Sequence, residues 1–240
     1  MRRLFPAAGE IPDDRALAHA YELPAGRALR MDFVASLDGS IAVDGTSEGL
    51  QSPGDQRVFR TLRALADVVL VGHGTASAEG YGQVGPDTPL GRLRVSLGRP
   101  ATVPIAVVSR RASLAPGDKL AVPATLLVTC AAADAGRRAA LADAGVGVLV
   151  CGDEDVDLRA GLDALADRGL EQVTCEGGPQ LLRTALAAGV VDELDLTIAP
   201  ALVGDRARLL DGPLGGVVRT ELRQLLEEDG VLFARYGVGG

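Results

Sequence analysis

Apolar and polar positions along the chain switch between two periods, and the switches mark out the elements. Leu29–Leu37, LRMDFVASL, reads as a strand. In GDQRVFRTLRALA (54–66), Val58, Leu62 and Leu65 recur at helical spacing, and Ser52 before Pro53 gives a start signal. DVVLVG (67–72) is short and apolar, as expected of a parallel strand covered on both faces. Residues 72–91 are rich in Gly and read as a loop. Further strands are expected at PIAVVS (104–109), ATLLVT (124–129), VGVLVC (146–151) and EQVTCEGG (171–178). Helices are expected at 133–145, 157–169 and 179–189, the last with Pro at its first position. VDELDLTIAP (191–200) and GVLFARYGV (230–238) close the chain as strands.

Strands alternating with helices of this length predict an α/β fold with helices on both faces of the sheet. The last two strands have no crossover helix between them, so they are expected to pair antiparallel in a mixed, mostly parallel sheet. Residues 1–28 read as an irregular N-terminal arm with a short helix around Arg15–Tyr21, and 29–240 as one domain without internal repeats.

Composition narrows the picture. Hydrophobic residues make up 47% and aromatics 3%, with no Trp, so the core must be built from Ala, Val and Leu. The formal charge of −8 argues against a nucleic-acid partner. No window approaches the roughly 18 apolar residues that span a membrane. Arg2 and Arg3 are not followed by an apolar stretch, so no signal peptide is expected. Cys130, Cys151 and Cys175 lack CxxC spacing and lie at the ends of apolar runs, which predicts buried, reduced thiols in a cytoplasmic protein.

Ligands of open α/β sheets bind beyond the carboxyl ends of the strands, and three glycine-bearing turns fall there. They are Gly72-His73-Gly74-Thr75, Glu176-Gly177-Gly178-Pro179 and, more weakly, Asp38-Gly39. Glycine lets backbone N–H groups approach a phosphate, and a helix N-terminus adds a favourable dipole. No G-x-G-x-x-G follows the first strand, and neither a P-loop nor G-x-S-x-G occurs. His19 and His73 make neither a triad nor, with these cysteines, a metal site. His73 reads either as a loop residue near the ligand or as a solvent-facing one.

FVASLDGSIA (33–42), SPGDQRVFRTLRALADVVLVGHGT (52–75) and EGGPQLLRTALAAGVVDELDLTIAPALVG (176–204) together resemble the reductase domain of bacterial riboflavin biosynthesis proteins. The likeness runs from about Leu29 to the C-terminus and implies a three-layer fold similar to dihydrofolate reductase. It also implies a stand-alone, homodimeric NADPH-dependent enzyme that reduces the ribose of 5-amino-6-(5-phosphoribosylamino)uracil to a ribityl chain. By this resemblance Ala35, Gly49, Thr75, Glu79 and Ser109 would contact the cofactor, and Gly178, Pro179, Gln180, Leu181 and Leu182 would wrap its phosphates. Gly72, Gly74 and Gly177 join that set from the turns. Ser47, Arg63 and Glu176 would contact substrate. Asp38 and Glu176 are the candidate catalytic acids, Asp38 as a proton donor to the ribose ring oxygen or as the residue that fixes its own turn.

Arg110 and Arg111 are candidates for the 2′-phosphate, whereas none of Arg92, Arg94 and Arg99 can be assigned to the substrate phosphate. A pterin such as dihydrofolate is an alternative substrate, and a non-catalytic nucleotide-binding protein is the third reading.

Overall fold

The computed structural model describes residues 1–239. Strand β4 (Val68–Gly72) shows how the apolar runs are used. Val68 and Leu70 pack into one cluster, with helices α6 (Leu158–Ala166) and α7 (Pro179–Ala187). Val69 and Val71 pack into the opposite one, with α4 (Pro89–Ser96) and α5 (Ala135–Asp143). Strands buried on both faces need no polar alternation, which is why the run reads as continuously apolar.

The parallel part of the sheet comprises β3 (Ala28–Ser36), β4, β5 (Ile105–Val108), β6 (Thr125–Thr129), β7 (Gly147–Val150), β8 (Gln172–Cys175) and β9 (Glu193–Ala199). Their spatial order is β9-β3-β8-β4-β5-β6-β7. Strand β8 is thus inserted between β3 and β4, and the chain changes direction across the sheet there. The carboxyl ends of these three strands form the switch point where ligands of such sheets bind.

Four further strands extend the sheet beyond β9, for a total of 11. Strand β11 (Val231–Val238) pairs antiparallel with β9, as expected of the last two predicted strands. The expectation missed β10 (Thr220–Glu228), which pairs antiparallel with the other edge of β11. The N-terminal arm is not irregular either. Strand β1 (Arg2–Phe5) pairs with β10, and β2 (Gly9–Glu10) with β1. The short helix is present as α1 (Asp14–Tyr21), capped by the Asp13 side chain. With α2 (Pro53–Leu65), α1 covers the antiparallel end through Leu17, Tyr21, Val58, Leu62 and Phe233.

The glycine-rich stretch read as a loop contains two helices, α3 (His73–Ala78) and α4. The Thr88 hydroxyl accepts the Gly91 N–H at 3.2 Å and Pro89 fills the first turn, a start signal hidden among the glycines. The three cysteines are buried and unpaired, and burial pushes the Cys175 thiol up to about 12.

Candidate active site

Helix α2 presents Asp55, Phe59 and Arg63, four residues apart, as one stripe facing the carboxyl ends of β3, β4 and β8. A cleft of about 660 Å³ opens there. Its other walls come from Asp32 and Phe33 of β3, Ser47 and Gln51 before α2, Gly74, Thr75 and Ala78 to Tyr81 around α3, and Glu176, Gly178 and Pro179 after β8, whereas Gly177 lies outside the lining.

The turn after β8 explains its two glycines. Gly177 has φ +92°, a region that side chains disfavour, and a Cβ on it would lie 3.2 Å from the Phe33 ring. A Cβ on Gly178 would lie 2.6 Å from Thr75 Oγ1. The Gly177 carbonyl accepts the Gly72 N–H at 2.8 Å, which ties this turn to the end of β4. Gly178 is the N-cap of α7 and has no side chain to cap it. The first-turn N–H groups of Gln180 and Leu181 therefore have no acceptor within the helix, and the positive end of its dipole faces the cleft rim. These features fit a diphosphate-bearing cofactor.

Glu176 is held by three hydrogen bonds from two residues. Arg63 Nε and Nη2 donate to its two oxygens at 2.6 and 2.7 Å, and the Tyr81 hydroxyl donates at 2.7 Å. Arg63 is stacked between the rings of Phe59 and Tyr81, 4.3 and 5.1 Å from their centroids. Burial alone would depress the Arg63 guanidinium, but the Glu176 carboxylate beside it keeps it well above its ordinary range. Burial and then Glu176 push the Tyr81 hydroxyl well up. The two residues expected to contact substrate independently form one bidentate pair, so they can offer a ligand only a joint polar edge.

Asp38 does not line the cleft. It accepts from Ser36 Oγ at 2.5 Å, Ser40 Oγ at 3.1 Å and the N–H groups of Val203 and Gly204 at 3.0 and 2.9 Å. Arg208 Nη1 lies 3.3 Å away. These donors, Ser36 first, hold its carboxyl well below the usual carboxylate range. Its place outside the cleft lining and these contacts support the turn-fixing alternative over the proton-donor one. Asp38 fixes its own turn and ties it to the 203–208 segment.

The remaining expected residues divide. Ser47, Gly74, Thr75, Glu79, Gly178 and Pro179 line the cleft with Arg63 and Glu176. Glu79 accepts the Ser47 N–H at 2.8 Å, joining two walls. Ala35 is buried in β3 and outside the lining. Gly49 serves packing, since a Cβ there would lie 2.8 Å from Val43 Cβ. Ser109 is buried, and its hydroxyl accepts the Ser113 N–H at 2.9 Å. The side chains of Leu181 and Leu182 belong to the core, Gln180 is exposed, and Gly72 lies behind the turn. Arg110 is committed to Asp155 at 2.6 Å, and Arg111 is exposed. Arg94 is buried, donating to the carbonyls of Arg63, Ala66 and Pro100. Arg99 pairs with Asp67, and Arg92 donates to the Asp87 carbonyl. None of the three lines the cleft.

Sequence reasoning missed Asp32, Asp55, Phe59 and Tyr81. Asp55 and Phe59 could have been found by stepping back from Arg63 in fours. Asp32 could have been found as the acid standing between apolar neighbours in β3.

Residues 27–228 match the family model of the RibD C-terminal domain. The chain is 30% identical over 220 residues to the 2,5-diamino-6-ribosylamino-4(3H)-pyrimidinone 5′-phosphate reductase of Methanothermobacter thermautotrophicus, covering 88% of this chain and 97% of that one. It is 29% identical over 179 residues to the riboflavin biosynthesis protein RibD of Bacillus amyloliquefaciens, covering 73% of this chain but 46% of that protein. A crystal structure of a pyrimidine reductase-like protein from Corynebacterium diphtheriae superposes with a TM-score of 0.79 at 30% identity, covering 89% and 92% of the two chains.

Proposed function

The chain belongs to the RibD C-terminal domain family, and from that premise we propose that it is a pyrimidine reductase of the riboflavin-pathway type, using NADPH. The observation that carries the reading is the side-chain-free turn at Gly177 and Gly178, which opens onto the same cleft as the Arg63–Glu176 pair. One end offers backbone N–H groups to a diphosphate, and the other offers a polar edge to a heterocycle.

When bound, the dinucleotide supplies a hydride. The chain's own residues hold the two ligands in register and keep water out, which is where an enzyme of this kind gains rate. Gly178 and the N–H groups of Gln180 and Leu181 would hold the diphosphate, with Thr75 against the turn. Of the two arginines expected to meet a 2′-phosphate, Arg111 is exposed and has no ion pair among the described residues. The Arg63 and Tyr81 donors keep Glu176 fixed, and the Phe59 ring gives an apolar wall.

A second reading has a specific observation behind it. The cleft is lined by the carboxyl side chains of Asp32, Asp55, Glu79 and Glu176, whereas Arg63 is the one Lys or Arg among its described lining residues and is already paired. Such a site suits a heterocycle that presents N–H donors, and it offers little to a substrate phosphate. A pterin such as dihydrofolate meets that description.

The readings separate in one assay, in which NADPH oxidation is followed with the diaminopyrimidinone phosphate, with its uracil counterpart and with dihydrofolate. Turnover of either pyrimidine supports the proposal. Turnover of dihydrofolate alone replaces it with the second reading. Dinucleotide binding with no substrate consumed overturns both in favour of a non-catalytic binder.

A further inference from the structure

Beneath α2, the face of the sheet that it covers carries a row of charged side chains, of which Arg30, Glu193 and Asp195 are buried and Asp32 and Arg235 half-buried. In the strand register Arg30 lies beside Glu193, and Asp32 beside Asp195, which in turn faces Arg235 of β11. Neighbouring strands lie about 4.8 Å apart, so these side chains stand shoulder to shoulder. Asp55, 8% exposed, closes the row from α2.

The cations are spent at one end of the row. Glu193 lies 2.8 Å from Arg30 and 2.6 Å from Arg235. Arg30 Nε also lies 2.9 Å from Asp195 Oδ2, yet neither Asp195 oxygen accepts an aligned hydrogen bond. Arg63 goes to Glu176. Asp32 and Asp55 are left without an ion-pair partner among the described residues. Four carboxyl groups face two guanidiniums there, and their desolvation favours the protonated form of Asp32 and Asp55. Of the groups in the row, Asp32 and Asp55 also line the cleft.

We propose that Asp32 is the acid that protonates the substrate during reduction, with Asp55 and Asp195 on either side keeping the proton on it. The proposal rests on the reductase reading. In the step, the Asp32 O–H bond breaks and its proton forms a new bond to the substrate oxygen or nitrogen that takes the electron pair of the breaking carbon–heteroatom bond. The carbon gains the hydride supplied by the reduced nicotinamide dinucleotide. Asp32 is left as a carboxylate and regains its proton from water in the cleft.

Every element packed against Asp32 bears on its titration. Burial raises it well above the ordinary value, followed by Asp55, Asp195 and Glu176, and Arg30 on its own strand opposes them. Glu193 of β9, Arg235 of β11, Arg63 of α2 and Tyr21 of α1 are the remaining charged or titratable groups around the row.

The test reads the free protein first. Carbon NMR of the side-chain carboxyls across a pH titration is expected to show an aspartyl group titrating far above the ordinary value of about 3.9, and Asp32→Asn is expected to remove it. With dinucleotide and pyrimidine, wild-type kcat should fall as pH rises through that titration. Asp32→Asn should lose about 100-fold or more in kcat, with KM moving less and the pH dependence gone. An ordinary titration for Asp32, or a variant that keeps both kcat and the wild-type pH profile, overturns the assignment. If the wild type reduces no pyrimidine, the substrate reading fails, and the titration of the free protein still decides whether Asp32 carries the proton.

Discussion

The rim and the floor of the cleft treat the same functional group in opposite ways. At the rim Glu176, and outside the cleft lining Asp38, are surrounded by donors, a guanidinium and a phenol for one, two hydroxyls and two backbone N–H groups for the other. On the floor, the half-buried Asp32 packs with the buried Asp55 and Asp195, Thr197 is the one side-chain donor to Asp55 among the described residues, and the nearby guanidiniums favour Glu193. Asp32 and Asp38 lie on the same strand and its following turn, so chain position does not separate them. The supply of donors does. A carboxyl rich in donors is an anchor, and a carboxyl starved of them stores a proton.

The largest effect should come from starving the rim. Glu176→Ala leaves Arg63 buried between two rings without its counter-ion, and should cost about 3–5 kcal/mol in denaturant unfolding. A loss below about 1 kcal/mol would mean that the pair adds no more than a surface contact.

Next in size is the pH dependence of the floor. A carboxyl whose folded pKa is raised contributes stability that is present below the unfolded value of about 3.9 and lost as pH rises through the folded one. Burial, partly offset by Arg30, raises Asp195 to about 7, so wild-type stability should decline between about pH 4 and pH 7. Each such group adds at most about 1.4 kcal/mol per pH unit. Asp195→Asn should flatten that slope in unfolding curves recorded at several pH values, and an unchanged slope would remove Asp195 from the row.

Asp38 should behave in the reverse sense. Its folded pKa is depressed, so its contribution is present above about pH 4 and is lost as pH falls further. Asp38→Asn should therefore be destabilised relative to wild type at neutral pH, with the gap closing in acid. The smallest change is Ser40→Ala, which removes a buried hydroxyl serving Asp38 and should cost about 1 kcal/mol. A cost near zero would show that the other donors compensate.

Legibility in the sequence follows the range of the interactions. The parallel strands and their helices were readable because each carries its own signal, such as Pro179 opening α7 or the apolar run of β4. Strand β10 was not readable. In TELRQLLEE, Leu222, Leu225 and Leu226 sit at helix-like spacing, and only pairing with β11, across an irregular register between Leu222 and Gln224, makes it a strand. Strand β1, with two arginines in four residues, is likewise imposed by its partner. In the site, the glycine turn was legible as backbone geometry. The meaning of Asp32 was not, because its neighbours Asp195 and Asp55 come from distant parts of the chain. For Asp38 the sequence leaves two readings open, because an acid before glycine looks the same whether it catalyses or caps a turn.

The central claim is that the bare turn at Gly177 and Gly178 receives a reduced dinucleotide. Calorimetric titration of NADPH into the wild type and into Gly178→Val tests it most directly. The account predicts binding by the wild type and a loss of at least about tenfold in affinity in the variant, equivalent to about 1.4 kcal/mol, with the folded circular dichroism spectrum retained. Equal affinity in the two proteins, or no heat from the wild type, would contradict it.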